Sequence, residues 1–483
     1  MSDIKQHTAC IIGGGMSGLI TGALLAKNGY KVTVIEKNKI IGGGLQSFRR
    51  GDAVFNTGMQ AFVGYEKGSI VRGILNNYLN ISSLSIMPMD ENAQEIVWTD
   101  KNHCYKLPKG RIAFERYLSE QFPKEKEGIS KLVNCIYEIG ASYDYIWGKQ
   151  ISIHPEIVKY SYITAEQLEQ KYIRDERLKI LFGYIGINVG SSLHTMSALD
   201  FGMMCTLYIE GSYRFVGGNI LLANVLAEYI EQHNGKVINN AEVRDIVCEQ
   251  GKVKYIVTKN ELQIDADVFV SSIAPSNILK MTNADIFRKA TQRRVQTYEN
   301  NFTGYAVYLE LKDESFPFIN SAIFLPYHSD ESFPQYSYIL TPPHEGQSKW
   351  AKTMEILTPA SNSEFSKWEN TYIEKRGEDY VRLKESFAEK IINYISGYYP
   401  QLKNSIKHIY TATGLTVRDY YNNPRGAVYG QQGLYITVRT KIDNLFMTGQ
   451  AIQNQGLCGA AVASVLTAET ILGRSLIKEI AKT

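Results

Sequence analysis

The first forty residues alternate between short apolar runs and glycine-rich breaks. Residues 8–12, Thr-Ala-Cys-Ile-Ile, form a β-type run that stops at three glycines. Over 17–28 the apolar residues recur at helical spacing on one face, and Gly29 provides a C-cap. Residues 31–35, Lys-Val-Thr-Val-Ile, then form a second strand that ends at Glu36. The pattern predicts a strand–helix–strand unit.

The same α/β pattern returns in the middle and at the end of the chain. A second block begins at Gly217-Gly218-Asn219 and predicts a helix over 220–232 and strands near 237–238, 253–258 and 268–271. A third block predicts a strand at 444–447, a turn at Gly449 and an Ala-rich helix over 459–472. The segments between the blocks are richer in Tyr, Trp and Phe. We therefore predict an α/β fold in which a Rossmann-like domain (1–90, 215–290 and 405–483) frames an inserted α+β substrate domain (91–214 and 291–404).

The glycines after the first strand have the spacing of a dinucleotide-binding loop. In Gly13-x-Gly15-x-x-Gly18 the first glycine permits a tight turn and the second lets the backbone approach a pyrophosphate. The third allows close packing of helix and strand, and the helix N-terminus attracts the phosphates. Glu36, at the end of the second strand, places a carboxylate where it accepts hydrogen bonds from a ribose 2′-hydroxyl. The same carboxylate argues against the 2′-phosphate of NADP.

Two further glycine-rich segments favour FAD over NAD. A second cluster, Gly42-Gly43-Gly44, follows Glu36 by six residues and suits a longer cofactor whose flavin end extends beyond the pyrophosphate. Far downstream, Thr448-Gly449-Gln450 and Gly456-Leu457-Cys458-Gly459 form another turn before a helix, whose N–H groups would point at the flavin end. Three such elements at the two ends of one chain indicate a single long cofactor.

The motifs resemble those of the phytoene desaturase, carotenoid isomerase and retinol saturase family of flavoproteins. The resemblance spans nearly the whole length and is carried by 36–48, by Phe55-Asn56-Thr57-Gly58-Met59-Gln60, by 213–218, by 416–430 and by 448–459. It implies the Rossmann-like fold of flavoproteins with two dinucleotide-binding domains, and an FAD cofactor. Gln450 after the late glycine is similar to the isomerase and saturase branch, where Gln rather than Asp follows.

The resemblance also implies which residues bind the cofactor. They are Gly13, Gly15, Gly18, Glu36, Lys37, Gly43, Gly44, Leu45, Val243, Gly449, Gln450 and Leu457. Three positions near the flavin depart from the family pattern: Asn56 and Gln60 stand where Asp and His are usual, and Gly44 stands where many relatives have a basic residue. These departures leave the inherited substrate and reaction direction open.

Composition and charge limit the classes of partner that this protein is expected to bind. The formal net charge of the 483 residues is only +3, without a sustained basic stripe, which argues against nucleic acid. The six cysteines are scattered without metal-ligand spacing, and the histidines His103, His154, His194 and His328 lie far apart, so no metal is expected. The polar start of the chain and the lack of a long apolar run predict a cytoplasmic protein, with peripheral membrane contact left open.

The expected activity is redox or isomerase chemistry on carbon–carbon bonds of an apolar, polyene-like substrate. A flavin carries the hard step, which is consistent with the lack of a recognisable acid–base pair, and no catalytic residue is assigned. No separate NAD(P)H fingerprint identifies an electron donor. The clustered tyrosines (Tyr143, Tyr145, Tyr160, Tyr162, Tyr184, Tyr208 and Tyr213) are interpreted as aromatic core or as the wall of an apolar channel.

Two alternatives stay open at the level of sequence. One is amine oxidation on the related flavin oxidase scaffold. The other is a non-catalytic role like that of the Rab GDP-dissociation inhibitors, which resemble this fold and bind prenylated proteins; the intact glycine motifs argue against it. The apolar run over 178–185 is interpreted as a buried wall rather than a membrane-touching helix.

Overall fold

The computed structural model describes residues 6–97, 103–147, 149, 154–187, 192–297, 303–326, 336–430, 436–452 and 455–481. The strands in these ranges are β1 (Thr8–Ile12), β2 (Lys31–Ile35), β3 (Ser47–Arg50), β4 (Ala53–Asn56), β5 (Ile86–Pro88), β6 (Gln94–Val97), β7 (Cys104–Leu107), β8 (Tyr213–Phe215), β9 (Lys236–Ile238), β10 (Val243–Glu249), β11 (Lys252–Thr258), β12 (Gln263–Ile264), β13 (Val268–Ser271), β14 (Thr303–Leu311), β15 (Ala322–Pro326), β16 (Tyr336–Leu340), β17 (Thr353–Ala360), β18 (Ile406–Thr413) and β19 (Leu445–Met447).

The α-helices lie between these strands and at the end of the chain. They are α1 (Met16–Lys27), α2 (Ile70–Arg72), α3 (Arg111–Gln121), α4 (Lys126–Ala141), α5 (Pro155–Val158), α6 (Ala165–Tyr172), α7 (Glu176–Ile187), α8 (Ala198–Glu210), α9 (Ile220–Gln232), α10 (Pro275–Met281), α11 (Lys289–Thr297), α12 (Glu378–Ser396), α13 (Leu402–Ser405), α14 (Gly414–Tyr421), α15 (Gly456–Leu472) and α16 (Ile477–Ile480). Short 3₁₀ turns include Gly43–Leu45 and Asp144–Trp147.

A five-stranded parallel sheet, in the order β19-β13-β1-β2-β9, joins the three α/β blocks. After Thr8 its central strand β1 is apolar, and Ala9, Cys10, Ile11 and Ile12 are all buried. Such runs form the interior of parallel sheets, because helices cover both faces. The predicted Rossmann-like α/β fold is confirmed. The last long helix begins at Gly456, three residues before the predicted start.

A seven-stranded sheet, in the order β18-β14-β17-β16-β15-β6-β7, forms the second layer that bounds the functional cavity. It is antiparallel except where β15 pairs with β6. Strand β18 pairs with β14 from Tyr305↔Thr413 to Leu311↔Ile406, although the sequence assigned 405–483 to the first domain. The division into two domains stays a proposal, and this pairing favours a last boundary near residue 414.

The apolar run over 178–185 lies in α7 and is mostly buried, although Ile180 is 37% exposed. Leu178, Phe182 and Tyr184 are each at most 1% exposed. The ring of Tyr184 contacts Phe324 and Tyr336 at centroid distances of 5.4 and 5.5 Å, behind the strands that line the cavity. The burial of these three side chains fits the interpretation as a buried wall. Within the described ranges, no helix combines the length and the apolar character that crossing a bilayer requires.

Candidate functional site

Three glycines in the loop between β1 and α1 have different structural roles. Gly13 has φ +102°, and a Cβ there would lie 2.6 Å from Ser272 Oγ. A Cβ at Gly18 would overlap the carbonyl oxygen of Gly13, so this glycine lets the helix pack against the turn. A Cβ at Gly15, the N-cap of α1, would meet nothing within 4 Å and would project into the cavity. The second glycine therefore keeps space open for a ligand.

Glu36 shapes this loop and also lines the cavity. Its Oε2 accepts a hydrogen bond from the Gly14 N–H at 2.9 Å, and its Oε1 accepts one from the Asn38 N–H at 2.8 Å. Burial raises the pKa of Glu36, and the backbone N–H groups counteract part of this rise. The carboxylate is thus held at the end of β2 with lone pairs left for a ligand hydroxyl.

Lys37 connects the first block to a late helix. Its Nζ donates to the carbonyl oxygen of Asp419 in α14 at 2.7 Å, and burial lowers the pKa of Lys37. The side chain also lines the cavity. Sequence reasoning gave Lys37 a cofactor role, but did not predict this connection between residues far apart in the chain.

The second glycine cluster lies against the first. The Gly42 N–H donates to the Gly14 carbonyl oxygen at 2.7 Å, which sets the turn Gly43–Leu45 beside the dinucleotide loop. A Cβ at Gly44 would meet nothing within 4 Å, and Gly44 lines the cavity. This turn therefore presents a second position without a side chain to the same space.

One cavity of about 1130 Å³ collects most of the predicted cofactor residues. Those that line it are Gly13, Gly15, Glu36, Lys37, Gly43, Gly44, Val243, Gly449, Gln450 and Leu457. Leu45 is fully buried in the core, and neither Leu45 nor Gly18 is part of the lining. Val243 begins β10 near Glu242 and Glu36, whereas Leu457 lies in the first turn of α15. The cavity therefore has a nucleotide end near β2 and β10, and continues to the start of α15.

Part of the cavity wall is aromatic, and we call this part the aromatic chamber. Its lining includes Tyr208 of α8, Phe324, Tyr336 and Tyr338 of the seven-stranded sheet, and Tyr421 and Tyr429 after β18, with Met203, Met204 and Leu207 beside them. Burial raises the pKa of Tyr421 and of Tyr429 to about 12, so both hydroxyls stay neutral. Tyr208 lines the cavity, which fits its interpretation as part of a channel wall. Tyr162 is 82% exposed, so it belongs neither to the core nor to a channel wall.

The family departures Asn56 and Gln60 share a buried partner that sequence reasoning missed. The Asn56 N–H donates to Glu355 Oε1 at 2.6 Å, and the Gln60 amide nitrogen donates to Glu355 Oε2 at 2.5 Å. Glu355 is fully buried, and burial raises its pKa to about 8. The sequence does contain a sign of this buried carboxyl group, because Glu355 is the one acidic residue in the largely apolar strand β17. Gln60 itself lines the cavity.

Arg214 is a second buried charge near Glu355. Its guanidinium donates to the carbonyl oxygens of Thr341 and Ser321, each at 3.0 Å, and burial lowers its pKa to about 10. The attraction to Arg214 acts against the rise in the pKa of Glu355. Two buried ionisable side chains therefore lie next to residues of the cavity lining, Glu355 beside Gln60 and Arg214 near Tyr338.

Two of the histidines named in the sequence analysis each pair with a carboxylate. His154 Nε2 lies 3.0 Å from Asp144 Oδ2, and His194 Nδ1 lies 2.7 Å from Glu166 Oε2. His328 lies outside the described residues. Asp144 lines the cavity, whereas Glu166 does not.

This arrangement defines an oxidoreductase with a Rossmann-like dinucleotide-binding domain and a flavin-type cofactor. Residues 11–78 match the family described as NAD(P)-binding Rossmann-like domain. The all-trans-retinol 13,14-reductase of Rattus norvegicus is 24% identical over 99% of this chain and 87% of that protein. The chloroplastic prolycopene isomerase of Daucus carota is 23% identical over 97% of this chain and 80% of its own length. Over nearly its whole length the chain is similar to these retinol reductase and carotenoid isomerase relatives, the family that its motifs resemble.

The solved structures agree on the fold. A triple mutant of putrescine oxidase superposes with a TM-score of 0.67 at 15% identity, over 97% of this chain and 99% of that one. At this identity the likeness concerns the fold alone.

Proposed function

We propose that this protein is an FAD-dependent oxidoreductase that acts on carbon–carbon double or single bonds of an extended, apolar, polyene-like substrate. The observation that carries the proposal is the single cavity, in which the glycine-rich nucleotide end continues directly into the aromatic chamber. We infer that this continuity lets a cofactor ring and a conjugated substrate meet within one cavity.

Open space at two glycines makes the nucleotide end suitable for FAD. Gly15 and Gly44 both leave open space where a side chain would project, which is what close approach of a pyrophosphate to the backbone requires. We propose that Glu36 and Val243 hold the adenosine half, that Gly15 with the start of α1 holds the pyrophosphate, and that Gly44, Gln450 and Leu457 surround the flavin. When bound, FAD supplies a ring that exchanges a hydride equivalent with carbon.

The chamber suits a flat conjugated chain. Tyr208, Tyr338 and Tyr429 offer aromatic faces and neutral hydroxyls, and Met203 and Met204 adapt to an irregular apolar ligand. We propose that these side chains orient the substrate and exclude water, while the cofactor carries the redox step. The names of the rat and carrot relatives, an all-trans-retinol reductase and a prolycopene isomerase, support a polyene substrate.

The direction of the reaction is the first thing to measure. Purified protein should show flavin absorbance bands, and FAD should be released in equal molar amount on denaturation. Oxidised and reduced protein are then incubated without oxygen with panels of retinoids, carotenoids and enones. Loss of a double bond indicates saturation, gain indicates desaturation, and a geometric change without net flavin oxidation indicates isomerisation. Gln450 favours saturation or isomerisation.

The same experiment tests the alternatives. Hydrogen peroxide release with amines, and no change in polyenes, would replace the proposal with amine oxidation. A colourless protein that takes up no FAD would support a role like that of the GDP-dissociation inhibitors. The cytoplasmic location, the peripheral membrane contact and the identity of the electron donor or acceptor stay predictions or open questions.

A further inference from the structure

Three tyrosine hydroxyls in the wall of the aromatic chamber have no partner within the protein. Tyr208, Tyr336 and Tyr338 all line the cavity. Within the described ranges, no backbone or side-chain group forms a hydrogen bond with any of these three hydroxyls. A polar group that loses water without gaining a partner costs free energy, so three such groups in one wall point to a polar ligand group.

The three hydroxyls lie near one another, and packing fixes their rings. Tyr336 and Tyr338 are two residues apart in β16, so their side chains project from the same face of the sheet. Phe324 on the neighbouring strand contacts both rings, at centroid distances of 5.7 and 4.8 Å. Tyr208 approaches from α8: burial raises its pKa first, and the nearby hydroxyls of Tyr429 and of the two β16 tyrosines raise it further.

These hydroxyls are suited to donate rather than to accept. Burial raises the pKa of Tyr336 and of Tyr338 as well, so all three hydroxyls stay protonated at neutral pH. A phenol donates well and accepts poorly, because its lone pair is delocalised into the ring. A carbonyl oxygen offers two lone pairs and no proton, so it accepts from two such donors at once.

Other end groups match the cluster less well. An alcohol brings a proton for which the three phenols are poor acceptors, and a hydrocarbon leaves every hydroxyl unpaired. A carboxylate brings a full charge, whose desolvation three neutral donors repay poorly. Arg214 lies near Tyr338, but it does not line the cavity and already donates to two backbone carbonyl oxygens.

We propose that Tyr208, Tyr336 and Tyr338 form the binding site for a carbonyl oxygen at one end of the polyene-like substrate. The inference deepens the proposed function and rests on it. It narrows the substrate class from polyenes in general to those that carry a ketone or aldehyde group. The tyrosine hydroxyls replace the water that the carbonyl oxygen loses when it enters the chamber.

The test measures binding to the oxidised, FAD-loaded protein of four retinoid-length polyenes that differ only at one end. They carry a methyl ketone, the corresponding secondary alcohol, a carboxylic acid or no oxygen. A ketone is used because an aldehyde forms imines with lysine side chains. Polyene absorbance reports affinity without turnover, and difference infrared spectra report the carbonyl stretching frequency. We expect the ketone to bind most tightly, with a frequency below its value in a hydrocarbon solvent.

Phenylalanine variants remove one hydroxyl and keep the ring. In Tyr208→Phe and in Tyr338→Phe the ketone affinity should fall about fivefold, the scale of one neutral hydrogen bond, and the carbonyl frequency should rise. The hydrocarbon affinity should not fall, because each variant removes a polar group that this probe leaves unpaired. The control is Tyr78→Phe, which removes the hydroxyl of a tyrosine that is 5% exposed and lies outside the cavity. It should leave all four affinities unchanged.

Several results would overturn the inference alone. Parallel losses for the ketone and the hydrocarbon would mean that the tyrosines act only through packing. An unchanged ketone affinity and carbonyl frequency in Tyr208→Phe and Tyr338→Phe would mean that the hydroxyls bind only water. Tighter binding of the alcohol or of the acid than of the ketone would assign the cluster to a different oxygen group. Failure of every probe to bind the unaltered protein would instead overturn the proposed substrate class.

Discussion

Replacing Gly15 by valine is expected to give a protein that folds but lacks flavin. The backbone at Gly15 has φ −77° and ψ 178°, an extended conformation that valine adopts without strain. Its side chain would project into the cavity where the pyrophosphate is proposed to lie. We expect FAD affinity to fall by at least about 100-fold, or ~3 kcal/mol. The measurements are the ratio of flavin to protein absorbance and a titration of the apoprotein with FAD.

The control variant is Lys27→Val in the last turn of the same helix. Lys27 is exposed and lies outside the cavity, so flavin content should match that of the unaltered protein. Circular dichroism of Gly15→Val should show that α1 and the parallel sheet persist. Full FAD occupancy in Gly15→Val would show that the pyrophosphate lies elsewhere, and the proposed cofactor positions would have to be withdrawn.

The nucleotide end was predictable from the sequence because its parts are local. Strand, glycine loop, helix and acidic residue follow one another between Thr8 and Glu36, and each part has its own residue signature. The late helix was found from Gly449 and the Ala-rich run, but its start was misplaced. Gly456 was interpreted as part of the turn, whereas the backbone becomes helical there.

The substrate end was not predictable in the same way, because distant strands assemble it. The register between β18 and β14, and the parallel pairing of β6 with β15, have no local signature in the sequence. Periodicity identifies a strand but not its neighbour. The assignment of 405–413 to the first domain followed sequence proximity to α15, and the observed pairing places that strand in the other sheet.

Asn56 and Gln60 show how a departure from a family pattern is accommodated. Asn56 also accepts hydrogen bonds from Ser47 Oγ at 3.0 Å and from the Asn219 N–H at 2.9 Å, so its side chain is satisfied. Glu355, on a strand almost three hundred residues further along the chain, places a carboxyl group beside both positions. A comparison of local motifs shows only the two departures, because the partner that they share comes from a distant strand.

Glu355→Gln is expected to remove a pH dependence of stability. Burial raises the pKa of Glu355 to about 8, while a carboxyl of an unfolded chain titrates near ~4.3. Between these values the folded protein binds a proton that the unfolded chain releases. This contribution is fully present below the unfolded pKa and is lost as the pH rises through the folded pKa. The contribution of Glu355 to stability should therefore decrease by about 1 kcal/mol per pH unit as the pH rises from about 5 toward about 8.

The measurement is urea unfolding at several pH values with a fixed excess of FAD, for the unaltered protein and for Glu355→Gln. The variant resembles the protonated carboxyl, so its advantage over the unaltered protein should grow with pH and level off above about 8. Glu389→Gln, on the exposed face of α12, is the control and should show a small difference that is the same at every pH. A constant difference for Glu355→Gln would mean that Glu355 is ionised beneath the chamber, held so by Arg214 and the Asn56 N–H.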